Sequence, residues 1–158
     1  MNIFILDTDI VKCAQYHTDK HVVKMITETA QLLCSAYYYQ DKFKDEIPYN
    51  LTHANHPCAK WVRHSIKNWE WLLMLGVYLY KEYMHRFGNK THKAGNVILW
   101  CYEHKPNLPD NGLTMFEQCM PEQYKDSNPV TAYRNYYNGE KKELFKWTGR
   151  TIPYWIRW

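Results

Sequence analysis

Tyr16-His17-Thr18-Asp19-Lys20-His21-Val22-Val23-Lys24-Met25-Ile26-Thr27-Glu28 is the stretch whose reading decides the fold. It reads as the entry to a long helix, predicted from Lys20 to Tyr39. Asp19 is the N-cap candidate, because its carboxylate can accept the free N–H groups of the first turn. Val22, Val23, Met25, Ile26, Ala30, Leu32 and Leu33 follow at helical spacing and give a wide apolar face. His21, Lys24 and Glu28 stand at i, i+3 and i+7, so they share one side, which Gln31 and Ser35 extend. A base, an amine and a carboxylate on a rigid stripe suit acid–base or nucleophilic chemistry. A solvated helix face has the same pattern.

Outward from this helix, the 158 residues fit one domain, 1–158, long enough for a real core. The 7 Trp and 14 Tyr make the chain too aromatic for disorder, so many rings are expected to be buried or to stack on something flat. A net charge of +4 is compatible with nucleic acid without requiring it. Cys13, Cys34, Cys58, Cys101 and Cys119 are odd in number and widely spaced, which argues against a disulfide framework. No basic segment precedes an apolar run, so no signal peptide is expected. The apolar run from Trp69 to Tyr80 is too short to span a bilayer. The expected protein is cytoplasmic, with no membrane partner.

Ile3-Phe4-Ile5-Leu6 is a short extended segment or strand. Thr8 or Asp7 is expected to cap a first helix through Gln15. Gln40 to Leu51 reads as a loop. Pro57 suits the first turn of a second long helix, predicted to run to Phe87 and stop at Gly88-Asn89. A third helix is predicted across His92 to Tyr102, with Gly95 inside it. Lys105 to Asn128 is irregular, and such a stretch usually covers a site or wraps a core. Asn128-Pro129 opens the final helix, which Gly139 is expected to interrupt. The aromatic tail, Arg150 to Trp158, should pack on the body. The predicted fold class is mainly α: a single helical domain with two long helices, a short N-terminal extended segment and a packed aromatic tail.

Three chemistries compete. His17 with His21, and His53 with His56, offer imidazoles for a metal, but neither pair matches a metal motif, so no metal and no cofactor are expected. Lys24 has Lys20 and His21 within one turn. Such neighbours lower an amine's proton affinity and favour a nucleophile, whereas a simple pair with Glu28 leaves it ordinary. Asn55, His56, Lys60, Arg63, His64 and Lys67 gather polar and basic groups at a helix start, where anions are favoured. Lys125, Arg134, Lys141, Lys142, Lys146 and Arg150 alternate with Tyr124, Tyr133, Tyr136, Tyr137 and Trp147. That mixture suits phosphates and bases, and equally a small aromatic core.

The blocks Asp19-Lys20-His21-Val22-Val23-Lys24-Met25, Asn55-His56-Pro57 with Trp61-Val62-Arg63, Met120-Pro121-Glu122 with Tyr124-Lys125, and Tyr133-Arg134-Asn135-Tyr136-Tyr137 resemble a family of small bacteriophage proteins nearly end to end. More remotely, the chain is similar to the pyrimidine-dimer DNA glycosylase (endonuclease V) family of phages. Ala14-Gln15 with His17, then a helix carrying Glu28, resembles that family's early His and catalytic-Glu helix. Pro121, Tyr124, Ala132, Arg134, Lys141 or Lys142, Trp147, Arg150, Pro153 and Trp155 resemble its C-terminal block in order. That family attacks the sugar with the α-amine of a processed N-terminus. Here Met1 precedes Asn2, a poor context for Met removal, so either Lys24 replaces that amine or the lyase step is lacking.

The resulting expectation is an enzyme acting on DNA at a base or its glycosidic bond. Its catalytic residues would be Glu28, Lys24 and His21. Arg63, Lys125 and Arg134 would contact phosphates, and Trp61 and Tyr124 would stack on bases. His17, Lys20, Asn55, His56 and His64 complete the expected nucleic-acid or nucleotide surface. The alternative is a non-catalytic binder of a nucleotide or signalling nucleotide, of the kind phages use against host defences.

Overall fold

Thr18, and not Asp19, opens the long helix. Its hydroxyl accepts the His21 N–H, and the helix, α2, runs Asp19–Ala36 with a 3-10 turn at Tyr37–Tyr39. In this computed structural model, which describes residues 1–158, α2 follows α1 (Ile10–Tyr16) and precedes α3 (Pro57–His64), α4 (Ile66–Phe87), α5 (Lys93–Glu103) and α6 (Pro129–Glu140). The architecture is mainly α and contains no strand. None of the helices is long and apolar enough to cross a membrane.

Each boundary has a local cause. The Asp9 carboxylate, rather than Thr8 or Asp7, caps α1 by accepting the Lys12 N–H at 3.0 Å. His17 and Thr18 are extended, so His17 and His21 do not lie one turn apart on a common helix. The helix expected across 57–87 is two helices. Ser65 is extended (φ −148°, ψ 141°), and its hydroxyl accepts the Lys67 N–H to cap α4. The Ile66 N–H bonds instead to the Pro109 carbonyl, which seals the break with the irregular strap of 105–128. Gly88 ends α4 in the left-handed region (φ 77°), which only glycine enters at no steric cost. Asn128 caps α6, and Pro129 takes its first position as expected. Gly139 does not interrupt α6. The Tyr124 ring packs on it so closely that a Cβ there would lie 2.3 Å from a ring carbon.

The core forms where α2 packs on α4 and α5, with α1 and α3 closing the sides. The N-terminal segment, buried from Ile3 to Leu6, threads this interior. Phe4 contacts the rings of His21, Tyr133 and Tyr137. Gly95 is explained here, because the Tyr80 ring lies 2.7 Å from where its Cβ would be. The long strap wraps the core. Phe116 packs on Trp61 and Trp71, and the Asn68 amide reaches both the Trp61 carbonyl and the Thr114 hydroxyl. In the tail, Trp155 packs on Tyr16 and Tyr137, whereas Tyr154 and Trp158 are exposed. Most of the aromatic rings therefore lie in the core or pack against it.

Candidate functional site

The stripe on α2 keeps only two of its three leading members. Lys24 projects outward and its Nζ lies 3.4 Å from Glu28 Oε1; the Lys24 side chain is 66% exposed and that of Glu28 13%. His21 is turned into the core. Its ring stacks on Phe4 at 4.5 Å, and its Nδ1 is hydrogen-bonded to the Tyr137 hydroxyl at 2.6 Å. His21 and Lys24 are three positions apart, but the apolar face of α2 is wide enough to take in the histidine. The reading of His21 as the neighbour that tunes Lys24 is thus corrected.

The expected nucleic-acid surface divides in the same way. Lys20, Asn55, His64 and Lys125 are exposed. His17 is fully buried, and its Nδ1–H donates to the Cys13 carbonyl at 2.7 Å. Trp61 is buried against Trp71 and Phe116, so it is not free to stack on a base. The Arg63 guanidinium donates to the Ala54 carbonyl and lies over the Tyr39 ring, holding the loop ahead of α3. Arg134 donates to the Leu6 carbonyl, pairs with Asp7 and reaches the Tyr154 hydroxyl, so it ties the N-terminal segment to the tail. Tyr124 donates to Glu140, and Lys125 pairs with Glu122. Arg63 and Arg134 therefore hold the fold together through these bonds, and both remain partly exposed.

What converges instead is a cluster around Asn2. The Asn2 N–H donates to Glu28 Oε2 at 3.0 Å. The Asn2 side-chain amide donates to the Cys119 carbonyl at 2.8 Å, and its Oδ1 accepts from the Tyr133 hydroxyl at 2.9 Å. The Met1 nitrogen stands 3.9 Å from Glu28 Oε2. Glu28 therefore has an amine near each oxygen, with Lys24 on the solvent side. His56 borders the same region. Burial lowers its proton affinity, as do the positive charges of the Met1 nitrogen and His53, while Glu28 opposes them. Its Nδ1 accepts the Cys58 N–H at 3.1 Å and caps α3.

Beneath His56, the Cys58 and Cys119 sulfurs lie 3.5 Å apart. The hydrogen bond to Cys119 and burial push the Cys58 thiol above its ordinary range, and the shared bond lowers Cys119. Beside the cluster, Thr27 and Gln31 of α2 line a groove with Tyr49, Asn50, Leu51 and Thr52. Thr27, Gln31 and Glu28 lie within one helical turn of Lys24 or of one another.

Sequence reasoning missed Asn2, Cys58, Cys119 and Tyr133 because nothing local joins them. Asn2 lies 117 residues from Cys119 and 131 from Tyr133. The one available signal was His56-Pro57-Cys58, which places a histidine and a thiol at the first turn of a helix.

The fold is a small helical one in which Glu28, Lys24 and the Met1 nitrogen gather where the N-terminal segment enters the core. No family model, curated protein or solved structure matches the chain.

Proposed function

We propose that the protein acts on DNA at a base or its glycosidic bond, with Glu28 as the catalytic carboxylate and Lys24 as the candidate nucleophilic amine. The observation that carries this reading is the placement of Glu28: largely covered, fixed by the Asn2 N–H, and 3.4 Å from an exposed amine. A displaced base exposes the sugar to such a pair, because chemistry on a stacked nucleotide is sterically blocked. The amine, in its neutral form, bonds through nitrogen to C1′ as the C1′–N bond to the base breaks. The base leaves with that electron pair and takes its proton from solvent, and the proton that Glu28 receives from the amine passes to the ring oxygen as the sugar opens. Opening of the sugar ring then gives an imine. Glu28 stabilises the cationic sugar and accepts the proton released by the attacking amine. The Met1 nitrogen, on the other side of the same carboxylate, is the second amine within reach. Exposed Lys20, one turn before Lys24, adds positive charge where the phosphate backbone would pass. The resemblance to the pyrimidine-dimer glycosylases leads to the same chemistry.

Glu28→Gln tests the assignment. The amide oxygen can still accept the Asn2 N–H, so the fold should be kept. Turnover on ultraviolet-irradiated or abasic duplex should fall by about 100-fold or more, with DNA affinity within about 2-fold of the parent. Turnover that survives the substitution would remove Glu28 from the mechanism.

A further inference from the structure

We propose that His56, Cys58 and Cys119 form a binding site for one thiophilic divalent ion, zinc by the chemistry of the donors. One ring nitrogen of His56 and the two sulfurs all lie within 4.8 Å of one another. The sulfurs are 3.5 Å apart. Two thiolates bound to one tetrahedral zinc at about 2.3 Å each would stand about 3.8 Å apart, so the pair needs little movement. One imidazole and two thiolates are a donor set that selects zinc over calcium or magnesium, which take oxygen ligands.

The surroundings favour a fixed site. Cys58 is buried on the first turn of α3, and Cys119 is tethered by two bonds: its carbonyl accepts from the Asn2 amide, and its N–H donates to the Tyr133 hydroxyl at 3.2 Å. His56 and Cys119 are only partly buried, which leaves a way in from the surface. The Nδ1 of His56 accepts the Cys58 N–H, which holds the imidazole at the first turn of α3 beside the two sulfurs. Asn2 Oδ1 lies 4.0 Å from the Cys58 sulfur. Three protein ligands leave the fourth position to that oxygen or to water, the pattern of zinc sites that keep an open place. The site does not depend on DNA chemistry, so it stands or falls separately from the function proposed above.

Cobalt(II) and zinc(II) titrations of the reduced, full-length protein provide the test. One ion per chain is expected, with a thiolate-to-cobalt charge-transfer band and tetrahedral d–d bands that zinc bleaches. Cys119→Ser sits on the strap and should fold; it should weaken binding by about 100-fold and remove half of the charge-transfer intensity. His56→Gln should weaken binding by about 10-fold or more and leave that intensity in place. Cys101→Ser, at a buried thiol that is hydrogen-bonded to Cys34 and not part of this cluster, should change neither. No uptake, or uptake that Cys119→Ser and His56→Gln both leave unchanged, would overturn the site. Closure of Cys58 and Cys119 to a disulfide in a protein that takes up no ion when reduced would overturn it as well.

Discussion

Between pH 6.5 and pH 4 the fold is expected to lose roughly 3 kcal/mol of stability for each of His17 and His21. Burial lowers the His17 pKa to about 4; the Arg86 charge acts in the same direction, and the Cys13 carbonyl and Glu82 act against it. Burial likewise lowers His21 to about 3, with His17, Lys141 and Lys24 adding positive charge nearby. The hydrogen-bonding pattern gives the same answer for His17. Its Nδ1 already donates to Cys13, and its buried Nε2 has no partner, so a second proton there would find no acceptor. The unfolded chain takes up these protons below about pH 6.5, and the folded chain does not until about pH 4 or 3. The two histidines therefore stabilise the fold fully above pH 6.5, and that contribution disappears progressively as the pH falls. Each should add a slope of about 1.4 kcal/mol per pH unit within the window. Urea unfolding followed from pH 7.5 to pH 4.5 reads this slope, and His17→Gln or His21→Gln should each lower it by about 1.4 kcal/mol per pH unit. A stability that stays flat from pH 6.5 to pH 5 would contradict both burial assignments.

Removal of the Arg86 guanidinium is expected to cost about 3–5 kcal/mol, the cost of leaving buried charges unpaired. Arg86 is buried on the last turn of α4. It donates to Glu82 at 3.0 Å, to Asp19 at 3.1 Å, and to the carbonyls of His17 and Gln15, each at 2.8 Å. Arg150 completes the cluster by pairing with Glu82 at 2.6 Å, and the Thr148 hydroxyl donates to Asp19 at 2.6 Å. Two carboxylates face two guanidinium groups, so the cluster is neutral as a whole. Burial raises the Asp19 carboxyl, but the bonds from Thr148 and Arg86 outweigh it and hold the group below its usual range. Burial raises Glu82 too, and Arg150 and Arg86 outweigh it in the same way. The stability these two carboxylates contribute is therefore present above their unfolded values near pH 4 and is lost below that, separately from the histidine window. Arg86→Met keeps the length of the side chain and removes the fork. Its melting temperature should fall by about 10 °C or more at pH 7. A second substitution, Glu82→Gln, should cost less in that background than alone, because the two share one network. A fall of less than about 2 °C for Arg86→Met would mean that the network is not holding α1, α2 and α4 together.

Asp19 shows why sequence pattern located α2 but misread its entry. Asp and Thr both make good caps, and nothing local chooses between Thr18 and Asp19. Arg86 and Thr148, 67 and 129 residues away, take up the Asp19 carboxylate and leave the capping to the threonine hydroxyl. Ser65 is the matching case. A serine amid apolar periodicity is weak evidence of a break, and the bond from Ile66 to Pro109 that stabilises the break comes from the distant strap. Pro57, Gly88, Asn128 and Pro129 carry their meaning in their own backbones, and these boundaries were legible.

The site was legible only where it lies along one helix. Lys24 and Glu28 are a local pair and stand as the spacing suggests. His21 has the right spacing and the wrong direction, because the Phe4 ring of the N-terminal segment draws it inward. Arg63 and Arg134 look like phosphate ligands in sequence, but their partners are backbone carbonyls and Asp7. The cluster of Asn2, Cys58, Cys119 and Tyr133 exists only once the segment threads between α2, α3 and α6.

The most direct measurement uses end-labelled duplex DNA, either plain, ultraviolet-irradiated or carrying an abasic site, incubated with the protein in the presence of borohydride. A covalent adduct on the abasic or irradiated duplex, absent on plain duplex, is expected, and peptide mapping should place it on Lys24 or on the Met1 nitrogen. No adduct and no strand cleavage on any duplex would contradict imine chemistry at Glu28 and would leave the polar surface of α2 to non-covalent nucleotide binding.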